Sequence, residues 1–158
     1  MTSADPHHAI KNWGFVIAQF ALIGACFIGA LTDPPTERGL LRVVLSAALL
    51  TGGGGLGIWA LWSMGSNTFS VTPQPVPTGD LCERGPYHWV CHPMYTAVLL
   101  VCLSAWVQSP TLFLSAAWAL LLAVLVGKLS FEERLLTAQF SEYESYKRNR
   151  HRLVPYVW

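Results

Sequence analysis

WGFVIAQFALIGACFIGAL, residues 13–31, holds 19 residues of which only Gln19 is strongly polar. At ~1.5 Å per residue, a helix of this length covers most of a ~30 Å hydrocarbon core. Residues 13–31 therefore read as a first transmembrane helix. Asp33 and the pair Pro34-Pro35 stop it, because proline cannot continue the hydrogen-bond ladder and a carboxylate is costly in lipid. Working outward, LLRVVLSAALLTGGGGLGIWALW, residues 40–62, makes a second span, with Arg42 near enough to its start to snorkel to the interface. Its centre carries Gly52, Gly53, Gly54, Gly55 and then Gly57. Glycine lets a neighbouring helix come close, so tight packing is the preferred reading over a kink beside a ligand.

The rest of the composition agrees. The chain has 158 residues, 53% hydrophobic and 12% charged, where a soluble domain carries about 25% charged residues. Mean hydropathy is +0.40. A disordered chain would be poor in apolar residues and rich in charge. A nucleic-acid binder would need a basic surplus to neutralise phosphates, and the formal net charge here is +1. The four cysteines, Cys26, Cys82, Cys91 and Cys102, show no Cys-x-x-Cys spacing, so no zinc or redox motif is indicated. The class that remains is an all-α integral membrane protein forming a single domain over residues 1–158.

Residues 63–92 form a long polar connection with Pro73, Pro75, Pro77, Gly79, Gly85 and Pro86. Its proline density favours a stiff, extended path, and its length suggests an ordered wall of a pocket at the membrane surface. Pro93 then opens a third apolar segment, residues 93–107, with proline at an early helical position where its missing N–H costs nothing. Gln108-Ser109-Pro110 makes a turn, and residues 111–130 form a fourth span. The expected architecture is thus about four transmembrane helices, the last two a helical hairpin, followed by a C-terminal segment, residues 131–158. Lys11, Arg84, Lys128, Arg134, Lys147, Arg148, Arg150 and Arg152 fall on one side of this layout, and Arg38 and Arg42 on the other. The positive-inside rule places both termini, the 63–92 loop and the C-terminal segment in the cytoplasm.

Polar residues capable of chemistry cluster at the cytoplasmic ends of the last two spans, which a hairpin brings together. One cluster runs from Gly85 to Tyr95, GPYHWVCHPMY; the other runs from Lys128 to Glu133, with Tyr143 and Tyr146 one turn apart beyond it if that stretch is helical. His88 and His92 are four apart, as two metal ligands on one helix face would be. Gly85-Pro86 and Pro93 interrupt such a helix, and spacing supplies no third ligand, so no metal is expected. Glu132 and Glu133 at the end of a span need partners. The plain alternative is that they mark a solvated helix end, paired with Lys128 or Arg134 at helical spacing. For His92 the plain alternative is a helix cap, and for Tyr87 and Tyr95 an interfacial aromatic belt.

Four segments in order resemble the isoprenylcysteine carboxyl methyltransferase family, which is similar in turn to the phospholipid N-methyltransferases. They are Asn67-Thr68-Phe69-Ser70, Gly85 to Tyr95, Glu132-Glu133-Arg134-Leu135-Leu136, and Phe140 to Tyr146. The resemblance runs from about Asn67 onward; the first two spans match only in being apolar. It implies methyl transfer from S-adenosylmethionine to a lipophilic small-molecule or lipid acceptor. Carried over to matching positions, it implies a cofactor pocket made by Gly79, Asp80, Leu81, Cys82, Tyr87, His92, Pro93, Met94, Tyr95 and Glu132. Lys128 stands where the family has an acceptor-side arginine one turn before the glutamate, and Cys91 stands where the family usually has the arginine of Arg-His-Pro. Lysine keeps the charge and loses the bidentate fork. Lys128 and Glu132 are the expected catalytic pair.

The residue chemistry is compatible with that implication. A carboxylate suits the cofactor's ammonium, and aromatic faces suit its cationic sulfur. A carboxylate acceptor would need no base, whereas an amine or thiol acceptor would have to be deprotonated, with His88, His92 or a glutamate as the available groups. Two readings of another class compete. One is an inactive membrane binding or scaffold protein that keeps the pocket. The other is a small transporter, disfavoured because the spans are nearly free of ionisable residues and show no inverted repeat.

Overall fold

In hydrocarbon every backbone N–H and C=O must be satisfied within the chain, and each apolar run accordingly folds as a helix. The computed structural model describes residues 6–32, 39–64 and 82–154, with side chains described from Trp13 onward. The helices are α1, Pro6–Thr32; α2, Leu40–Met64; α3, Pro93–Gln108; α4, Leu112–Gln139; and α5, Tyr143–Arg148. A single 3₁₀ turn, Gly85–His88, precedes α3. No β-strand occurs among the described residues. Val90 and His151 make one isolated parallel bridge.

Three of these helices are long and apolar enough to cross a membrane: α1 from Trp13, α2, and α4. About four spans are expected from the sequence; three helices qualify by length and composition, and α3, at 16 residues, is shorter. At ~1.5 Å per residue α3 reaches only about 24 Å, less than a full hydrocarbon core. It is the central helix, packed against α1, α2 and α4. Side chains such as Ile17, Phe20, Ile28, Leu41 and Ile58 point outward from α1 and α2 and are exposed, as lipid-facing residues are.

Contacts between ends fix the helix directions. Gln108 Nε2 at the end of α3 donates to Ser46 Oγ near the start of α2, so α2 and α3 are antiparallel. Gly53 lies between: a Cβ there would sit 3.0 Å from Ala97 O, Leu100 Cβ and Val101 Cγ2. Gly53, and more loosely Gly57, whose Cβ would lie 3.5 Å from Ala97 Cβ, are packing positions in the α2–α3 contact, the most extensive in the bundle, whereas a Cβ on Gly52, Gly54 or Gly55 would meet nothing within 4 Å. The second largest joins α1 to α4. A Cβ on Gly29 would press on Phe113 and Leu114 at the start of α4, while Phe15 lies against Gly127 and, at 6.4 Å between ring centres, Phe131. The α3–α4 hairpin is present, closed by Thr111, whose side chain accepts from Leu114 N. Trp106 Nε1 donates to Ser115 Oγ and Trp118 Nε1 to Leu99 O across it. The buried core runs between these helices through Leu99, Cys102, Leu114, Leu121, Leu125 and Leu129.

α4 continues as one helix from its apolar part through the charged residues Lys128 to Arg134 and ends at Gln139. The chain turns at Phe140, and α5 folds back with Tyr143 and Tyr146 buried against Cys91, Leu136 and Phe140. Beyond α5 the backbone runs beside residues 89–92. Cys91 N donates to His151 O at 2.8 Å, His92 N to Arg152 O at 3.0 Å, and His151 N to Trp89 O at 3.2 Å. Thr96 Oγ1 adds a bond to Leu153 O at 2.5 Å. Residues 143–153 thus clasp the segment that leads into α3.

Candidate functional site

The same antiparallel order gathers the start of α1, the end of α2, the start of α3 and the charged part of α4 at one end of the bundle. Pro86 and Pro93 shape the approach. Pro86 sits in the 3₁₀ turn, and Pro93 opens α3 at a position where no N–H is needed. Gly85 precedes them at φ +58°, the left-handed region that glycine enters without strain; a Cβ there would collide with Ser63. Cys82 Sγ bonds Ser63 O at 3.3 Å, which ties the same segment to the end of α2.

Tyr95 is the centre of the site. Its hydroxyl donates to Glu132 Oε1 at 2.5 Å. The His92 ring stacks on its ring, 5.4 Å between centres and 3° from parallel. Lys128 Nζ lies 5.2 Å from its centroid. Lys128 is buried in spite of its charge, and its ammonium donates to Gln19 Oε1 of α1 at 3.0 Å. Glu132 keeps a partly open carboxylate, 16% exposed, with Oε2 3.7 Å from His92 Nδ1. Tyr87 is buried, and its hydroxyl has no hydrogen-bond partner among the described residues; nor does His92 Nε2. The Tyr87 hydroxyl is costly to leave unmatched and marks a place where a polar ligand fits, whereas His92 Nε2 lies 3.7 Å from Glu133 Oε1.

Glu133 has a different setting. Its Oε2 meets Lys147 Nζ at 2.9 Å, and its Oε1 lies 3.2 Å from Arg152 Nε and 3.7 Å from His92 Nε2. The plain alternative, a solvated helix end paired locally with Lys128 or Arg134, does not describe Glu133. Glu133 is buried and paired with residues of the C-terminal clasp, while Lys128 turns toward Gln19 and Arg134 is exposed. The clasp is reinforced by Tyr146, whose hydroxyl donates to Tyr87 O at 2.7 Å. Arg150 adds Nε to His88 O at 3.1 Å and a 2.8 Å pair with Glu83, and lies over the Tyr146 ring. Burial pushes the Cys91 thiol up to about 11, and the nearby Glu133 charge adds to this, against Arg150, Lys147 and Arg152. Burial likewise raises the Tyr87, Tyr143 and Tyr146 hydroxyls far above the ordinary tyrosine range. All four groups are neutral at neutral pH.

Of the residues expected to form the site, the structure brings together Tyr87, His92, Pro93, Met94, Tyr95, Lys128 and Glu132. Cys82 lies at the rim, and Gly79, Asp80 and Leu81 lie outside the described residues. His88 and His92 do not share a helix face: His88 ends the 3₁₀ turn and is exposed, whereas His92 is the buried N-cap of α3. Among the described residues no three His, Cys, Asp or Glu side chains form a group able to hold a metal. Sequence reasoning missed Gln19, Lys147 and Arg152 as contributors. Gln19 carried a signal, being the one strongly polar side chain in an apolar span. A separate apolar cavity of about 390 Å³, lined by Ile28, Gly29, Thr32, Thr111 and Phe113, lies at the opposite end of the bundle.

A family model described as phospholipid methyltransferase matches residues 41–143. The match covers most of α2, all of α3 and α4, and the first residue of α5; α1, with Gln19, lies before it. That family is related to the isoprenylcysteine carboxyl methyltransferases. No curated protein and no solved structure matches the chain.

Proposed function

Because the chain belongs to the phospholipid methyltransferase family, and so is a membrane methyltransferase, we propose that it moves a methyl group from S-adenosylmethionine to a lipophilic acceptor at the Tyr95–Glu132 end of the bundle. The observation that carries this reading is Glu132. Its carboxylate is partly open, oriented by the Tyr95 hydroxyl, and near enough to the unmatched Tyr87 hydroxyl for its charge to act on it.

S-adenosylmethionine, when bound, supplies a methyl group activated by a sulfonium. Glu132 offers a charge-assisted hydrogen bond to an ammonium, and the rings of Tyr87 and Tyr95 offer faces to a cation. Tyr87 Oη has hydrogen-bonding capacity to spare, which fits the polar remainder of such a ligand. The cofactor set extends to Gly79, Asp80, Leu81, Cys82, Pro93 and Met94, and the site opens to the cytoplasm together with both termini. On the acceptor side Lys128 contributes a positive charge. A carboxylate acceptor approaches without proton transfer; an amine acceptor needs a base, for which buried His92 is placed. Burial of the cluster excludes water and holds the reactants in line, which supplies much of the rate.

The test is methyl transfer by the detergent-purified protein, using S-adenosylmethionine labelled in its methyl group and a membrane lipid extract. Label should enter the organic phase. Release of that label as methanol on mild base identifies a carboxylate acceptor, and a base-stable product identifies an amine or thiol. No transfer to any lipid fraction, by protein that is folded, would overturn the proposal.

A further inference from the structure

Gln19 sits in the first apolar run, ahead of the part of the chain that the family model covers. It is buried, and so is Lys128, 109 residues away in sequence. Lysine has donors only, so the 3.0 Å contact fixes the amide's orientation: Oε1 accepts from Nζ. The contact is built into the α1–α4 packing, where Phe15, one turn before Gln19, lies against Gly127 and Phe131. A buried ammonium normally finds a carboxylate. Here the two groups fixed on Nζ are a neutral amide and the Tyr95 ring; no carboxylate reaches ion-pair distance among the described residues, and Glu132, one turn on, acts on it only through its charge.

We infer that Gln19 is a positioning residue: it aims the Lys128 ammonium over Tyr95 without neutralising it, so that the positive charge is kept for an anionic group on the methyl acceptor. The inference rests on the methyl-transfer reading above. An amide and a carboxylate are nearly the same size, and either could accept this hydrogen bond. Only the amide leaves the ammonium without a carboxylate bonded directly to it, with Glu132 one turn on engaged by the Tyr95 hydroxyl. That choice selects acceptors that carry a carboxylate or a phosphate near the atom to be methylated. It also makes α1 a part of the active centre rather than an anchor.

The experiment compares the full-length protein with its Gln19→Glu and Gln19→Leu variants in two arms. The first measures acetylation of the Lys128 amine by acetic anhydride near neutral pH, read by mass spectrometry against an added free amine. Gln19→Glu should slow it about fivefold or more, because a carboxylate holds the proton on the amine; Gln19→Leu should speed it about threefold. Rates within about twofold of wild type in both variants would overturn the inference. The second arm measures methyl transfer into lipid extract and cofactor affinity. Gln19→Glu should raise KM for the lipid about tenfold, with cofactor affinity unchanged, and Gln19→Leu should lower kcat. Equal loss of cofactor affinity, turnover and thermal stability in both variants would show a merely structural role and overturn it too. Base-labile label in the wild-type product assigns the anionic group to a carboxylate, and base-stable label that co-purifies with phosphorus-containing lipid assigns it to a lipid phosphate. If the wild type transfers no methyl group, the methyl-transfer reading fails, while the acetylation arm still decides whether Gln19 controls Lys128.

Discussion

Glu132 and Glu133 are adjacent on α4, carry the same group, and sit in opposite surroundings. Glu133 faces the C-terminal clasp and is matched by Lys147 and Arg152, with His92 close by. Glu132 faces the aromatic side, holds one hydrogen bond from Tyr95 among the described residues, and stays partly open. A buried carboxylate whose charge is met by two cations has little left to offer a ligand. One that is oriented but not neutralised does. The comparison assigns Glu133 to the architecture of the site and, in the proposed function, Glu132 to its chemistry.

The largest effect should come from breaking the architectural member. Glu133→Ala leaves Lys147 and Arg152 without their common partner and empties a buried position. Breaking a buried ion pair costs about 3 kcal/mol or more, and the partial exposure of both cations keeps the value at that lower end. Thermal unfolding in detergent should show the loss, and protease should cut the 143–153 segment first. Next comes Glu132→Gln, which is isosteric. It should leave thermal stability nearly unchanged and weaken cofactor binding by roughly 1.5–3 kcal/mol, the worth of a charged hydrogen bond.

Alkaline pH sharpens the clasp side of the comparison. Cys91 is held protonated in the fold, its pKa raised from 9.0 to about 11, chiefly by burial. A raised folded-state pKa gives stability that is fully present below the unfolded value and is lost as pH rises through the folded one. Stability should therefore fall between about pH 9 and 11, by up to about 2 kcal/mol. Cys91→Ala should flatten the first part of that fall, before the buried tyrosines titrate. A denaturation series at fixed ionic strength measures it. The smallest effect belongs to Tyr95→Phe. It keeps the ring under Lys128 and beside His92 and removes only the donor to Glu132. Cofactor affinity should drop by about 1 kcal/mol, with the fold intact.

What was legible in the sequence follows from how far apart partners lie along the chain. Trp13–Leu31 announces a span because its composition alone excludes water. The α3–α4 hairpin is legible because Pro93 and Gln108-Ser109-Pro110 punctuate it locally. Gly53 could be read as a contact, but its partners Ala97, Leu100 and Val101 on α3 could not. The cluster of His92, Tyr95, Lys128 and Glu132 could be gathered from the hairpin and the family resemblance. The separate fates of Glu132 and Glu133 were beyond reach. Helical spacing offers Lys128 and Arg134 as nearby partners, and the real ones arrive from a C-terminal segment that returns along residues 89–92. Gln19 was hidden for the same reason, since its contact with Lys128 depends on the packing of α1 against α4.

The central claim, that Glu132 is the open carboxylate of a cofactor site, is tested most directly by calorimetric titration of S-adenosylmethionine into detergent-purified wild type and Glu132→Gln. The wild type should bind in the micromolar range, roughly −8 kcal/mol, and the variant at least about tenfold more weakly. A folded wild type that binds nothing in two detergents, or a Glu132→Gln variant that binds as well as the wild type, would contradict the account.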